Sequence, residues 1–261
     1  QSKEQAVNVM KRYKDHYRTK NIKAYITGNR KQRQYVIEAS KEVGIMPTTE
    51  GSLDTKLDLT HMIDGFAGTE HNMPVFPLYK DVVQLAAQTG IGYTPTLLVT
   101  YGGPWGENYF FTKMNPHDDA KVNTFMPHNI IDQRTKRAPW VRDEEYAFTR
   151  VADAAIDIQR AGGKVGVGSH GQFQGLGYHW ELWALGSGKA TPMEALKAAT
   201  IDGAHIIGHA DEVGSIEPGK FADLVVLNSD PRQDLANTTD IHRVMANGRL
   251  YVDETLEEVW P

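Results

Sequence analysis

The stretch TPMEALKAATIDGAHIIGHADEVGSIEPGKFADLVVL, residues 191–227, contains a change of architecture. Thr191-Pro192-Met193-Glu194 is a capping box with Pro at the first helical position, where its missing N–H costs nothing, so a helix starts here. After Gly208 the helical spacing stops. Glu217-Pro218-Gly219-Lys220 is a turn, and residues 222–227 (ADLVVL) read as a strand. Residues 243–246 and 249–252 add two more strands, joined by Asn247-Gly248, the preferred dipeptide of a tight hairpin. The tail is therefore all-β, and the chain divides into residues 1–209 and 210–261.

Upstream of this stretch, strand and helix periods alternate. Strands are expected at residues 21–27, 45–49, 66–71, 93–99 and 164–169, and helices at 32–43, 53–63, 78–89 and 144–161. Residues 100–140, rich in aromatics, Gly, Pro and Asn, read as one long irregular segment. Strands separated by helices imply a parallel sheet, hence an α/β fold. Five such units are too few for an eight-stranded barrel, which leaves an open doubly wound sheet or the later part of a barrel.

Composition narrows the function. The 261 residues are 40% hydrophobic and 23% charged, an ordinary globular balance. A net charge of -5 argues against nucleic acid as a partner, because neutralising phosphates needs a cationic excess. No apolar run approaches the ~20 residues that cross a bilayer, and residues 1–20 contain no apolar core of a signal peptide, so the compartment stays unassigned. With no Cys, any metal must sit on His, carboxylate or a modified Lys.

In both candidate architectures ligands bind at the C-terminal ends of the parallel strands. Those ends carry Lys23, Thr48-Thr49-Glu50, Glu70-His71, Thr94 to Thr96 and His170. A single His there is more often structural, but two His, a Lys and a Glu on one rim point to a metal or proton-transfer site. Period-two alternation should turn Glu70 away from His71.

Other features carry less. Gly166-x-Gly168-x-x-Gly171 matches a dinucleotide fingerprint in form, yet residues 172–178 (QFQGLGY) read as loop where that site needs a helix start. Tyr101, Trp105, Tyr109 and Phe110 either wall a substrate pocket or pack the long segment onto the rim. His179-x-Glu181 could orient His170, bind substrate, or form an exposed polar helix start. His117, His128, His205, His209 and His242 show no ligand spacing.

The chain resembles the metal-dependent amidohydrolase superfamily, in its imidazolonepropionase-like and Xaa-Pro dipeptidase-like branch, from about residue 21 to residue 252. The resemblance is carried by Ile22-Lys23 with Thr27-Gly28, Gly68-Thr69-Glu70-His71, Thr191 to Leu196 with Ala198-Ala199-Thr200, and Gly214 to Leu224. It implies about the last five units of a (β/α)8 TIM barrel followed by part of a small β-sandwich. It also implies one or two divalent ions, zinc by preference, that activate water against a carbon–nitrogen bond of a small amide: non-peptide, cyclic or dipeptide-like.

The resemblance assigns Lys23 to the position of a lysine that is often carbamylated, and His71 to a metal-ligating histidine. An unmodified Lys23 paired with a carboxylate is the alternative. Glu50 stands where a histidine is expected; it could ligate metal or cap the next helix. Gly168-Ser169-His170-Gly171 replaces Gly-Thr-Asp, which makes His170 a ligand or the catalytic proton carrier. No His-x-His occurs, so the resemblance further implies a C-terminal part of a longer enzyme, incomplete on its own and weak in metal binding. A non-catalytic scaffold is the reading from a different class. A sheet with two open edges is expected to pair, as a homo-oligomer or with a separate N-terminal segment.

Overall fold

The computed structural model describes residues 2–25, 27–51, 54–99, 103, 106–136, 141–170 and 173–260. Helix α1 (Lys3–Arg12) opens on a Ser2/Gln5 capping box and continues through a π turn to Tyr17. Then follow β1 (Asn21–Ala24), α2 (Arg30–Val43), β2 (Met46–Glu50), α3 (Thr55–Asp64), β3 (Gly68–Glu70), α4 (Lys80–Thr89) and β4 (Gly92–Thr94). Helices α5 (Ala120–Phe125), α6 (His128–Thr135) and α7 (Phe148–Arg160) lead to β5 (Lys164–Val165). Helices α8 (Leu176–Leu185), α9 (Pro192–Lys197) and α10 (Gly203–Ile206) precede β6 (Leu224–Leu227), β7 (Ile241–Ala246), β8 (Arg249–Val252) and β9 (Glu258–Trp260).

The class is α/β. Strands β1 to β5 form one parallel sheet in strictly sequential order, and β6 to β9 form a second, antiparallel sheet, also sequential. The first sheet has no point where its strand order reverses, unlike a doubly wound sheet. In its register Lys23 lies opposite Thr48, Glu50 opposite Glu70, and Glu70 opposite Thr94. Alternation then puts Ala24, Thr49, Thr69, Tyr93 and Val165 on one face, and all five are buried. They belong to the face that the helices cover: Ile37, Met62, Val83, Ala86, Ile156 and Ile158 join Ala24, Tyr93 and Val165 in one apolar cluster.

The other face carries Lys23, Thr48, Glu50, Gly68, Glu70, Gly92 and Thr94. Helix α10 crosses it at the strand starts. A Cβ on Gly92 would come within 2.7 Å of the Ile206 side chain, so glycine is what allows this close passage. Between α10 and the sheet remains a cavity of about 310 Å³, lined in part by Lys23, Thr48, Glu70, Thr94 and Ile206. Helix α10 thus covers one end of this face and leaves the opposite end, where the strands finish, open.

Several elements differ from expectation. Strand β4 stops after three residues because Pro95 has no N–H to donate and Thr96 takes φ 44. The segment read as irregular holds α5, α6 and short 3-10 turns, whose one or two turns are too brief for a period to register. Residues 172–178 were expected as loop, yet α8 begins at Leu176. Seven of its ten residues are buried, on all sides, so it lacks an amphipathic stripe. The expected hairpin is present, with Asn247 at φ 50 and Gly248 at φ 81, both in the left-handed region that a two-residue turn requires. No helix among the described residues is long and apolar enough to cross a membrane.

Candidate functional site at the strand ends

Lys23, Glu50, His71 and His170 come together. Glu50 is the hub: its Oε2 pairs with Lys23 Nζ, and its Oε1 accepts from His71 Nε2 at 2.5 Å. The His71 ring meets the His170 ring edge to face, with centroids 5.4 Å apart. His71 is buried, whereas His170 is exposed, so the cluster runs from the sheet interior out to solvent. Burial lowers the His71 pKa, against the pull of the Glu50 carboxylate.

The backbone explains how β3 supplies two groups to one site. Glu70, the last residue of β3, shares its face with Glu50 and Thr94. The next side chain should point away, but His71 lies past the strand end at φ 73. A non-glycine residue in this region is strained and is found mostly where the surroundings impose it. Here the His71 and Asn72 amides still donate to Thr94 and Pro95 carbonyls, at 2.7 and 2.8 Å, which hold the turn. Glu70 and His71 consequently reach the same cluster, contrary to the alternation argument. Burial raises the Glu70 pKa, while hydrogen bonds from Thr48 and Thr94 and the charge of Lys23 oppose the shift.

A second layer fixes the first. The His71 Nδ1 is hydrogen-bonded to the Thr96 hydroxyl, which leaves Nε2 as the atom facing Glu50. Thr96 begins a tight turn whose next two amides, Leu97 and Leu98, donate to the carboxylate of Glu181 on α8, the second at 3.3 Å. Glu181 is 2% exposed, and burial pushes its pKa up to about 8 even though both amides favour the charged form. The sequence left His179-x-Glu181 either near His170 and substrate or at an exposed helix start, and Glu181 is in neither position. A Glu in an otherwise apolar run, LGYHWELWAL, is the signal that could have marked it.

The other expected residues go elsewhere. His179 Nδ1 lies 2.9 Å from the Thr238 hydroxyl, in the turn that precedes β7. Tyr101 and Trp105 lie outside the described residues. Tyr109 packs on Tyr146 and Phe148 at 4.8 Å, and Phe110 stacks on Trp180, so these aromatics anchor the segment to the core.

The cluster offers carboxylate and imidazole donors suited to a divalent ion. Glu50 Oε2 is buried, and no donor is aligned on it for a hydrogen bond. The 2.5 Å between Glu50 Oε1 and His71 Nε2 is shorter than the about 3.3 Å between two ligands of one tetrahedral zinc ion, so these two residues would have to give up that hydrogen bond to hold an ion together. The pairing of Lys23 with Glu50 suits an ammonium. A carbamate at Lys23 would set two anions together, which a cation between them would reconcile.

A parallel sheet with sequential strand order, polar strand ends and a following antiparallel sheet defines an α/β protein with its candidate site at the strand ends. The chain belongs to the amidohydrolase family, whose model matches residues 32–251. It is 44% identical over 68 residues to an imidazolonepropionase of Shouchella clausii (strain KSM-K16), covering 25% of this chain and 15% of that protein. Its fold is similar to that of a Xaa-Pro dipeptidase crystallised with methionine in the active site, with TM-score 0.66 and 20% identity over 97% of this chain and 59% of that one. It is likewise similar to molinate hydrolase, with TM-score 0.65 and 15% identity over 97% of this chain and 55% of the other. The chain thus spans little more than half the length of these structural relatives.

Proposed function

We propose that this chain forms the later part of a (β/α)8 barrel in a metal-dependent hydrolase of carbon–nitrogen bonds, acting on a cyclic amide or dipeptide-like small molecule. The observation that carries the reading is the continuous contact from Lys23 through Glu50 and His71 to His170 at the strand ends. The reversal-free strand order and the family membership support it.

Glu50 and His71 would hold the ion, zinc by donor type, with Lys23 joining if carbamylated and His170 joining only if it is not the proton carrier. The ion's contribution is Lewis acidity, which makes water nucleophilic near neutral pH. The chain's own residues do the rest. Thr96 fixes the His71 ring through Nδ1 and keeps Nε2 directed inward. As proton carrier, His170 at the solvent-facing end would take a proton from the attacking water and return it to the departing nitrogen. Glu70 braces the adjoining strands through Thr48 and Thr94.

The test is hydrolysis of cyclic amides and Xaa-Pro dipeptides by the whole gene product that carries this sequence, with added zinc. His71→Ala and His170→Ala should each lower turnover by orders of magnitude while the protein stays folded. Undiminished turnover in well-folded His170→Ala would remove His170 from the chemistry. Absence of any carbon–nitrogen hydrolysis would overturn the reading.

A further inference from the structure

Among the described residues, one trio brings three ligand atoms within 4.8 Å of one another: His117, His128 and Asp132. None of them bonds to the strand-end cluster. His117 sits in a 3-10 turn, Pro116–Asp118, while His128 and Asp132 are four residues apart and therefore on the same face of α6. His117 Nε2 lies 3.0 Å from Asp132 Oδ1, and His128 Nε2 lies 3.6 Å from the same oxygen. The two rings meet edge to face at 5.4 Å. Two ligands of one tetrahedral zinc ion stand about 3.3 Å apart, and the two measured edges bracket that spacing.

The surroundings orient the trio. His117 Nδ1 faces Asn115 Oδ1 at 3.1 Å, an acceptor that takes the ring's N–H and leaves the Nε2 lone pair toward Asp132. Nε2 and a carboxylate oxygen are then lone pair to lone pair unless a proton or a cation lies between them. Asn123 donates to the carbonyls of His117 and Asp119, at 2.6 and 2.8 Å, and ties the turn to α5. Two imidazoles and one carboxylate suit zinc and its neighbours, whereas calcium and magnesium favour all-oxygen shells.

We propose that His117, His128 and Asp132 form a second metal site, taking one divalent ion of the zinc type with water in the fourth position. The ion would cross-link the 117 turn to α6 and so staple the long connection between β4 and α7. The site is half open, since the His128 side chain is 73% exposed. That exposure points to exchangeable metal.

The test uses the full chain stripped with chelator and carrying His71→Ala and His170→Ala, which removes both strand-end imidazoles. Titration with zinc should show one equivalent bound at micromolar concentration, with a rise in melting temperature. Adding His128→Ala or His117→Ala should weaken that binding at least tenfold. His128 is exposed, so its loss leaves the fold intact. Cobalt in place of zinc should give the visible absorption of a tetrahedral ion, lost in the same variants. Zinc binding unchanged by His117→Ala and His128→Ala, or no binding at micromolar zinc in the doubly substituted chain, would overturn the proposal.

Discussion

Glu181 is a carboxyl buried beneath the turn that carries Thr96, and its titration gives a signed expectation. Its folded-state pKa of about 8 exceeds the ordinary value of 4.5, so the native chain binds more protons than the unfolded chain between those limits. Stability from this group is complete below pH 4.5 and is lost as pH rises through 8, at up to about 1.4 kcal/mol per pH unit. Denaturant unfolding from pH 5 to 9 should therefore show a decline that Glu181→Gln flattens. Parallel pH profiles for both proteins would contradict the assignment. Because the same carboxyl sets the Leu97-Leu98 turn behind His71, Glu181→Gln should also loosen the His71 ring, visible as broadened imidazole NMR signals. Of the candidate site, Lys23, Glu50 and His71 were readable because they lie at or near strand ends, whereas His170 lies five residues past the end of β5. The surroundings of Glu70 and Glu181 were not legible, one because a positive φ at His71 breaks alternation, the other because a helix buried on all sides shows no polar side from which to judge it.

Caps mark some of the helices that the sequence located, while α4 and α7 were located by apolar spacing alone, without a side-chain cap. Asn29 with Gln32 caps α2 and Thr191 with Glu194 caps α9, in each case with both reciprocal bonds present. Glu194 is further held by Arg160, whose hydrogen bond is the main reason its pKa falls to about 2. Thr191→Ala should cost about 1 kcal/mol, read as a lower denaturation midpoint with an unchanged slope. No change would mean that Arg160 alone sustains the helix start. By contrast α8 and α6 have neither a side-chain cap nor a readable apolar stripe, α8 because it is buried on all sides and α6 because it is two turns long. The His128–Asp132 spacing was invisible for the same reason: four residues signify one face only once a helix is known.

Across the whole molecule the parallel sheet ends at β1 and β5, and neither has a further strand partner among the described residues. Beside β1 runs a groove of about 450 Å³ lined in part by Met10, Tyr13, Tyr17, Ile22 and Val36. An edge of this kind favours pairing with another strand. The isolated chain should sediment as an oligomer at micromolar concentration, and a compact monomer would show that the edge protects itself. The sequence order of strands was legible from the alternation of periods. What lies against each face was not, because contacts such as Ile206 on Gly92 join residues far apart in the chain.

That contact also has a temporal meaning. During synthesis the strands through β5 emerge before Ile206 does, so the polar face of the sheet stays open until the ribosome has nearly finished the helical region. A nascent chain halted before residue 203 would lack the lid on Gly92 and Gly166. Such a chain should be cut rapidly by protease at the first sheet, whereas one released after the helical region should resist. The last helix closes the molecule, and birth order makes it the final step in the sheet's maturation.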